Sequence, residues 1–243
     1  MNWANFSEKF HPSWHSKIRP FVESEECDRI YEFLKGESKR GVQIAPLSSA
    51  TFRAFLETPY DEIKCIVLAY CPYHTFKNGL PIADGLALSC SITNYPQPSL
   101  EIFYSAIENE LYNGLCAPCI KNPNLSFLAR NGVLLLNAGL TVAMNKPGSH
   151  NLIWEPFMKY LFENVFDVIK VPIILLGKEA QKIEKYIDPY TKVFKLSHPA
   201  ASSYQGTDWD SEGVFKKVEK ILLDTNNHKI QWMDTHEEDD LPF

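Results

Sequence analysis

The sequence contains no apolar run approaching the roughly 18 residues that a membrane-spanning helix requires, so no span and no membrane partner is expected. Its first residues, MNWANFSEKFHPSWHSK, lack the charged-then-apolar pattern of a secretory signal, which points to an intracellular, cytoplasmic protein. The close cysteine spacing of small secreted scaffolds is also missing. Cys27, Cys65, Cys71, Cys90, Cys116 and Cys119 are scattered, and reduced thiols are expected. Cys116 and Cys119 form a CxxC, but no second ligand pair accompanies it, so neither a metal nor a cofactor is expected. No repeat, low-complexity tract or internal linker is present. The net positive charge typical of a nucleic-acid binder is absent too, because the formal net charge is −6. That sum is misleading. Asp234, Glu237, Glu238, Asp239 and Asp240 account for all but one unit of it, so the body is close to neutral and the acid is gathered at one end.

What the sequence does have is core material. It is 45% hydrophobic and 13% aromatic over 243 residues, enough for one sizeable α/β domain. Apolar positions at helical spacing run over 20–35, with Ser24 as an N-cap followed by acids. Short buried strands are expected at 64–69, 132–142, 172–177 and 192–199. Helices are expected after Pro98, over 154–171, over 178–187 and over 212–226. Alternating strands and helices imply a three-layer α/β/α fold around a central four-stranded parallel sheet.

Three of the four strands end in polar groups. The first runs into Cys71-Pro72-Tyr73-His74, the second carries Asn137, and the fourth ends at His198-Pro199. In a parallel sheet those ends share one edge, where ligands bind, so one pocket can collect all three.

These residues resemble the uracil-DNA glycosylases of the family-1 type over roughly residues 17 to 233. AYCPYHTFKNGLPIADGLALS resembles that family's water-activating loop, written GQDPYH, and its GLxFS strand. QPSL resembles the PPSL loop, GVLLLNAGLTV is very similar to the GVLLLN-x-x-LTV strand, HPAAS stands where the family has HPSPLS, and IQW matches I-D-W. The resemblance implies base flipping into a tight pocket and hydrolysis of the glycosidic bond. It implies that Asn137 reads the uracil edge, Tyr73 excludes a C5 methyl group, and His198 stabilises charge on the leaving base. It also implies that His74, Ser99 and the segment containing Ala200, Ser202 and Ser203 hold phosphates.

Four departures stand out. The family's loop aspartate is Cys71 here, and a neutral thiol neither activates water nor offsets cationic charge on the sugar. The glutamine and glycine before it are Tyr70 and Ala69. The phenylalanine that stacks on the base is Leu88. The leucine wedge is Ser202, which is short and polar. Cys71 therefore reads either as a small filler in a vacated catalytic seat or as a thiolate activated by His74 or His198. The base pocket would comprise Tyr70, Tyr73, Leu88 and Asn137.

The chain divides into a glycosylase-like domain, 1–233, and an acidic tail, 234–243. The tail ends in Asp239-Asp240-Leu241-Pro242-Phe243 and resembles the acidic tip of bacterial single-stranded-DNA-binding proteins. Such an end places a terminal ring in an apolar partner pocket while the acids steer toward a basic rim. Three functions follow as expectations. The first is a catalytically silent protein that binds DNA, single-stranded by preference, and recruits replication or repair partners through its tail. The second is an active glycosylase for uracil or a modified base. The third is a mimic of a host single-strand-binding protein's tail. Tyr95, Tyr204 and Trp209 are candidate stacking platforms. Lys178, Lys182, Lys185, Lys216, Lys217 and Lys220 are candidate backbone contacts.

Overall fold

The computed structural model describes residues 3–114, 116, 119–205, 208–225 and 229–235, with the side chains of Asn5 and 203–205 excepted. Its centre is built from the four apolar runs. They form β1 (Cys65–Ala69), β2 (Val133–Asn137), β3 (Ile173–Leu176) and β4 (Val193–Leu196). Every residue of β1, β2 and β3 is buried. Burial on both faces is what a parallel sheet covered by helices imposes, and it is why these runs are continuously apolar rather than alternating. The strands are parallel in the order β2-β1-β3-β4.

The longer helices are α1 (His15–Val22), α2 (Glu25–Lys39), α3 (Pro98–Leu111), α4 (Asn151–Tyr160), α5 (Pro199–Gln205) and α6 (Val214–Asp224). The Ser24 hydroxyl accepts from the Cys27 N–H at 3.4 Å, and Glu25, Glu26 and Asp28 follow in the first turn, where the helix dipole favours acids. Pro98 sits at the start of α3, where its missing N–H costs nothing. Aromatic rings join the helices to one another and to the segments around them. Phe157 of α4 meets Phe21, Phe52, Phe55 and Trp154, and Phe103 of α3 meets Phe215 of α6, which meets Trp232.

Several expected boundaries shift. The run 132–142 is not one strand: β2 ends at Asn137, and Val142–Ala143 pairs antiparallel with Ile44–Ala45 instead. Gly139 lets the chain turn there against Asn151, where a Cβ would clash with the amide. The helix expected over 154–171 starts at Asn151 and finishes in a wider turn over Leu161–Val165. The chain then turns back toward β3 through Lys170, whose φ is +46°. The expectation of six reduced thiols holds for four: Cys116 and Cys119 are joined as a disulfide. Cys119–Ile120 also pairs with Asp234–Thr235, so pairing with the body continues two residues past 233. The tail residues Asp239, Asp240, Leu241, Pro242 and Phe243 lie outside the described residues. No helix among the described residues is long and apolar enough to cross a membrane.

Candidate active site

The sheet order places a topological switch at β1. The chain goes from β1 to its neighbour on one side, β2, and then crosses to the other side, β3. The crevice beyond the carboxyl ends of the strands at such a point is where ligands bind in open α/β sheets. A cleft of about 540 Å³ lies there. It is lined by Tyr70, Cys71, Tyr73 and His74 from the end of β1, by Asn137 from β2, by Gly177 and Lys178 after β3, and by His198 and Ala200 after β4. Leu88 and Ser99 complete the wall. The three strand ends picked out by the sequence therefore meet in one cleft. A second cavity of about 770 Å³ lies between α1, α2 and α4; it is mostly apolar and shares no lining residue with the cleft.

Tyr73 is the most firmly held wall. Its hydroxyl lies 3.1 Å from the Leu88 carbonyl oxygen, which can only accept, and 2.7 Å from the Ser99 hydroxyl. Tyr73 has one proton to give, so it donates to Leu88 and Ser99 donates to it. Ser99 is buried, and its proton is spent on Tyr73, which turns the hydroxyl away from the phosphate contact expected of it.

The loop carrying Leu88 is anchored outside the cleft. The Arg53 guanidinium pairs with Asp84 at 2.9 Å and with Glu57, and donates to Asn124 at 3.0 Å and to Ser126. Asp84 accepts from the Leu86 N–H at 3.2 Å, the Ser89 hydroxyl at 2.7 Å and the Ser91 N–H at 2.9 Å. Within this frame Leu88 adopts a left-handed backbone, φ +65°, which branched side chains avoid. The links from Arg53 to Asp84, Asn124 and Ser126 were not visible in sequence, because those partners lie 31 to 73 residues away.

His198 has a defined proton position. Its Nδ1 accepts the Ala200 N–H at 3.1 Å, so the neutral ring carries its proton on Nε2. Burial lowers its pKa from 6.5 to about 4, and the ring is neutral at physiological pH. Cys71 moves the other way. Burial raises its pKa to about 11, and the Gly148 N–H directed at it offsets only part of that. Neither His74 nor His198 is among the groups that lower the Cys71 pKa, and burial favours the protonated thiol over the thiolate. Gly148, φ +71°, is required here, because a Cβ would run into the Tyr70 hydroxyl.

Two polar atoms are left over. Asn137 Oδ1 and His74 Nδ1 are buried and have no hydrogen-bond partner among the described residues. Unpaired buried polar atoms are uncommon in folded proteins, and two in one cleft mark where a polar ligand would find hydrogen-bonding partners. Other candidates fare differently. Ser202 is buried at 6% exposure, so it does not project as a wedge. Trp209 is also buried: it stacks on Phe103 and donates to the Ser197 carbonyl at 2.9 Å, which removes it as a base platform. Tyr95 is 60% exposed. The side chains of Ser203 and Tyr204 lie outside the described residues. Lys182 and Lys185 are engaged with Glu179 and Glu155, while Lys216, Lys217 and Lys220 form an exposed face of α6 whose residues do not line the cleft. No cluster of potential metal ligands occurs among the described residues.

Residues 83–223 match the model of the uracil DNA glycosylase superfamily. A uracil-DNA glycosylase of Pseudomonas aeruginosa is 33% identical over 228 residues, covering 92% of this chain and 94% of the relative. A uracil-DNA glycosylase of Streptococcus pneumoniae is 29% identical, covering 92% and 99%. The crystal structure of mimivirus uracil-DNA glycosylase superposes with a TM-score of 0.82 at 20% identity, covering 96% of this chain and 89% of that one. Four parallel strands around a cleft of this make-up, together with these matches, place the chain in the uracil-DNA glycosylase superfamily.

Proposed function

We propose that this protein binds DNA and receives an extrahelical, uracil-type base in the cleft, and that it hydrolyses the glycosidic bond far more slowly than a carboxylate-bearing site would. The observation that carries this reading is a division within one cleft. The groups that would hold a base are kept, and the group that would activate water is a protonated thiol. Asn137 offers an unpaired, buried Oδ1 to a base N–H. Tyr73, fixed by two hydrogen bonds, is a rigid wall against a C5 substituent. His198 Nε2–H can donate to the base oxygen on which negative charge develops as the bond breaks, without first losing a proton.

Hydrolysis needs more than leaving-group stabilisation. The water oxygen must bond to the sugar C1′ as the glycosidic electron pair departs with the base, and the water must shed a proton. A thiol with a pKa near 11 takes up no proton at neutral pH and places no negative charge beside the cationic sugar. General-base participation is worth about 10²- to 10⁴-fold, which sets the scale of the deficit.

A second reading is a working glycosylase driven from the leaving-group side alone. The neutral, oriented His198 favours it, and so do relatives at 33% identity named as uracil-DNA glycosylases. One experiment separates the two. A single-stranded uracil oligonucleotide is incubated with the natural protein, with Cys71→Asp and with Asn137→Ala, and binding and abasic sites are scored together. The first reading expects uracil-dependent binding, weakened in Asn137→Ala, and cleavage at least ~10²-fold faster in Cys71→Asp. Efficient cleavage by the natural protein, not raised by Cys71→Asp, sinks it. Recruitment of replication or repair proteins by the acidic Leu-Pro-Phe end, or imitation of such an end, rests on the sequence. Pull-downs with and without Phe243 test it.

A further inference from the structure

Tyr95 is the most exposed aromatic side chain near the cleft, at 60%, yet its backbone is not loose. Its carbonyl oxygen accepts from the Thr93 hydroxyl at 2.8 Å and lies 3.9 Å from the Cys90 sulfur. The ring is thus held out to solvent by a fixed main chain. Lys77 Nζ lies 5.3 Å from the ring centroid, a cation–π pair that links two segments of different origin. Both segments leave the cleft directly. Thr75 and Gln97 line it, and Lys77 and Tyr95 are each two residues further on, within about 7 Å along the chain. Leu80 at 49% and Ile92 at 37% exposure lie in the same two segments.

The cleft's rim carries uncompensated positive charge, as does the α6 face of Lys216, Lys217 and Lys220 away from it. Lys77, Lys146 and Lys178 have no ion pair among the described residues, whereas Lys182, Lys185 and Lys195 are each matched to a glutamate. Lys178 lines the cleft, and Lys146 precedes Pro147, which lines it as well.

We propose that Tyr95 and Lys77 form a second nucleotide subsite, in which the base next to the one in the cleft stacks on the Tyr95 ring while Lys77 meets the intervening phosphate. This rests on the reading that the cleft takes a base from DNA. The occupant is a single strand, because a base can lie flat on an exposed ring only when its own partner strand is gone. An aromatic face accepts any base and a lysine contacts any phosphate, so the subsite adds affinity without adding sequence preference. A duplex with one flipped base leaves the neighbouring base paired and gains nothing from it.

The test uses the full chain and a single-stranded oligonucleotide carrying 2′-fluorodeoxyuridine, which resists hydrolysis, with 2-aminopurine on one side or the other. Stacking on Tyr95 quenches the 2-aminopurine on one side only. Tyr95→Ala removes that quenching and weakens binding roughly 10-fold, and Tyr95→Phe restores both. Lys77→Gln weakens binding and lowers its salt dependence by about one counterion. Duplex binding is unchanged by Tyr95→Ala. If the natural protein binds the strand while Tyr95→Ala binds equally well and quenches equally, the subsite is wrong and the cleft reading stands. If Asn137→Ala and the natural protein bind the strand alike while Tyr95→Ala loses affinity, the subsite stands and the cleft reading falls. If the natural protein does not bind the strand at low salt, both fall.

Discussion

A methyl group built on Gly177 would lie 3.1 Å from the Cβ of His198. The two residues follow β3 and β4, which pair directly, and Gly177 adopts φ +87° and ψ +159°, a region that only glycine enters readily. Gly177→Ala is therefore expected to cost about 1–3 kcal/mol from backbone strain and to push His198 off its position. Urea denaturation measures the first effect, and affinity for uracil-containing single strands measures the second. Unaltered binding by a folded Gly177→Ala protein would show that the position of His198 does not matter to ligand capture.

The pKa of His198 also gives a pH dependence with a definite sign. The folded value is depressed to about 4 from 6.5, so between those values the unfolded chain binds the extra proton. Stability from this group is complete above pH 6.5 and is lost as pH falls toward 4. The loss amounts to about 2 kcal/mol once the half-buried position of the ring is allowed for. His150 is depressed as well and acts in the same direction. Comparing urea midpoints of the natural protein and His198→Asn at pH 7 and pH 4.5 isolates the one ring, and the natural protein should lose more.

Cys71 should resist thiol reagents. With its pKa near 11, little thiolate exists at pH 7.5, so alkylation by iodoacetamide is slow and rises about tenfold per pH unit up to that value. Peptide mass spectrometry follows the site separately from Cys27, whose thiol is raised to about 11 by the same cause. Rapid labelling of Cys71 at neutral pH would mean that a thiolate is present and would reopen its catalytic reading.

Arg53→Ala should be the most damaging of these changes. It leaves the largely buried Asp84 carboxylate without its cation and Glu57 with only Arg130 at 3.8 Å, at a cost of about 3–5 kcal/mol, and Tm should fall by roughly 10 °C. Arg53→Lys should recover little, because one ammonium cannot reach acceptors spread over five residues. Calorimetry on the three proteins decides this, and a Lys variant as stable as the natural protein would refute the geometric argument.

The sheet and its strand ends were legible because burial on both faces leaves an uninterrupted apolar signature, and because polar residues punctuate it at Cys71, Asn137 and His198. The N-cap at Ser24 and the helix start at Pro98 were legible for equally local reasons. What could not be read was whatever depends on direction. Ser99 and Ser202 are polar residues in motif positions, yet one is engaged by Tyr73 and the other is turned into the fold. Trp209 looked like a surface ring and is packed on Phe103. The short strand pairs Ile44–Ala45 with Val142–Ala143 and Cys119–Ile120 with Asp234–Thr235 join residues about 100 apart, and two-residue strands leave no periodic trace.

The Arg53 network has a consequence for how this cleft can change. Leu88 is held in a conformation it would not choose, by the Arg53–Asp84 network behind its loop and by the Tyr73 hydroxyl on its carbonyl. The shape of that wall is therefore governed in part remotely and through the main chain, so the side chain at position 88 can be exchanged while the main chain stays put. Across the sheet, Cys71, Asn137 and His198 sit at or just beyond the strand ends. A scaffold of this kind lets one side chain of the cleft be exchanged while its neighbours are left standing, and position 71, whose thiol shares the cleft with Asn137 and His198, is such a place.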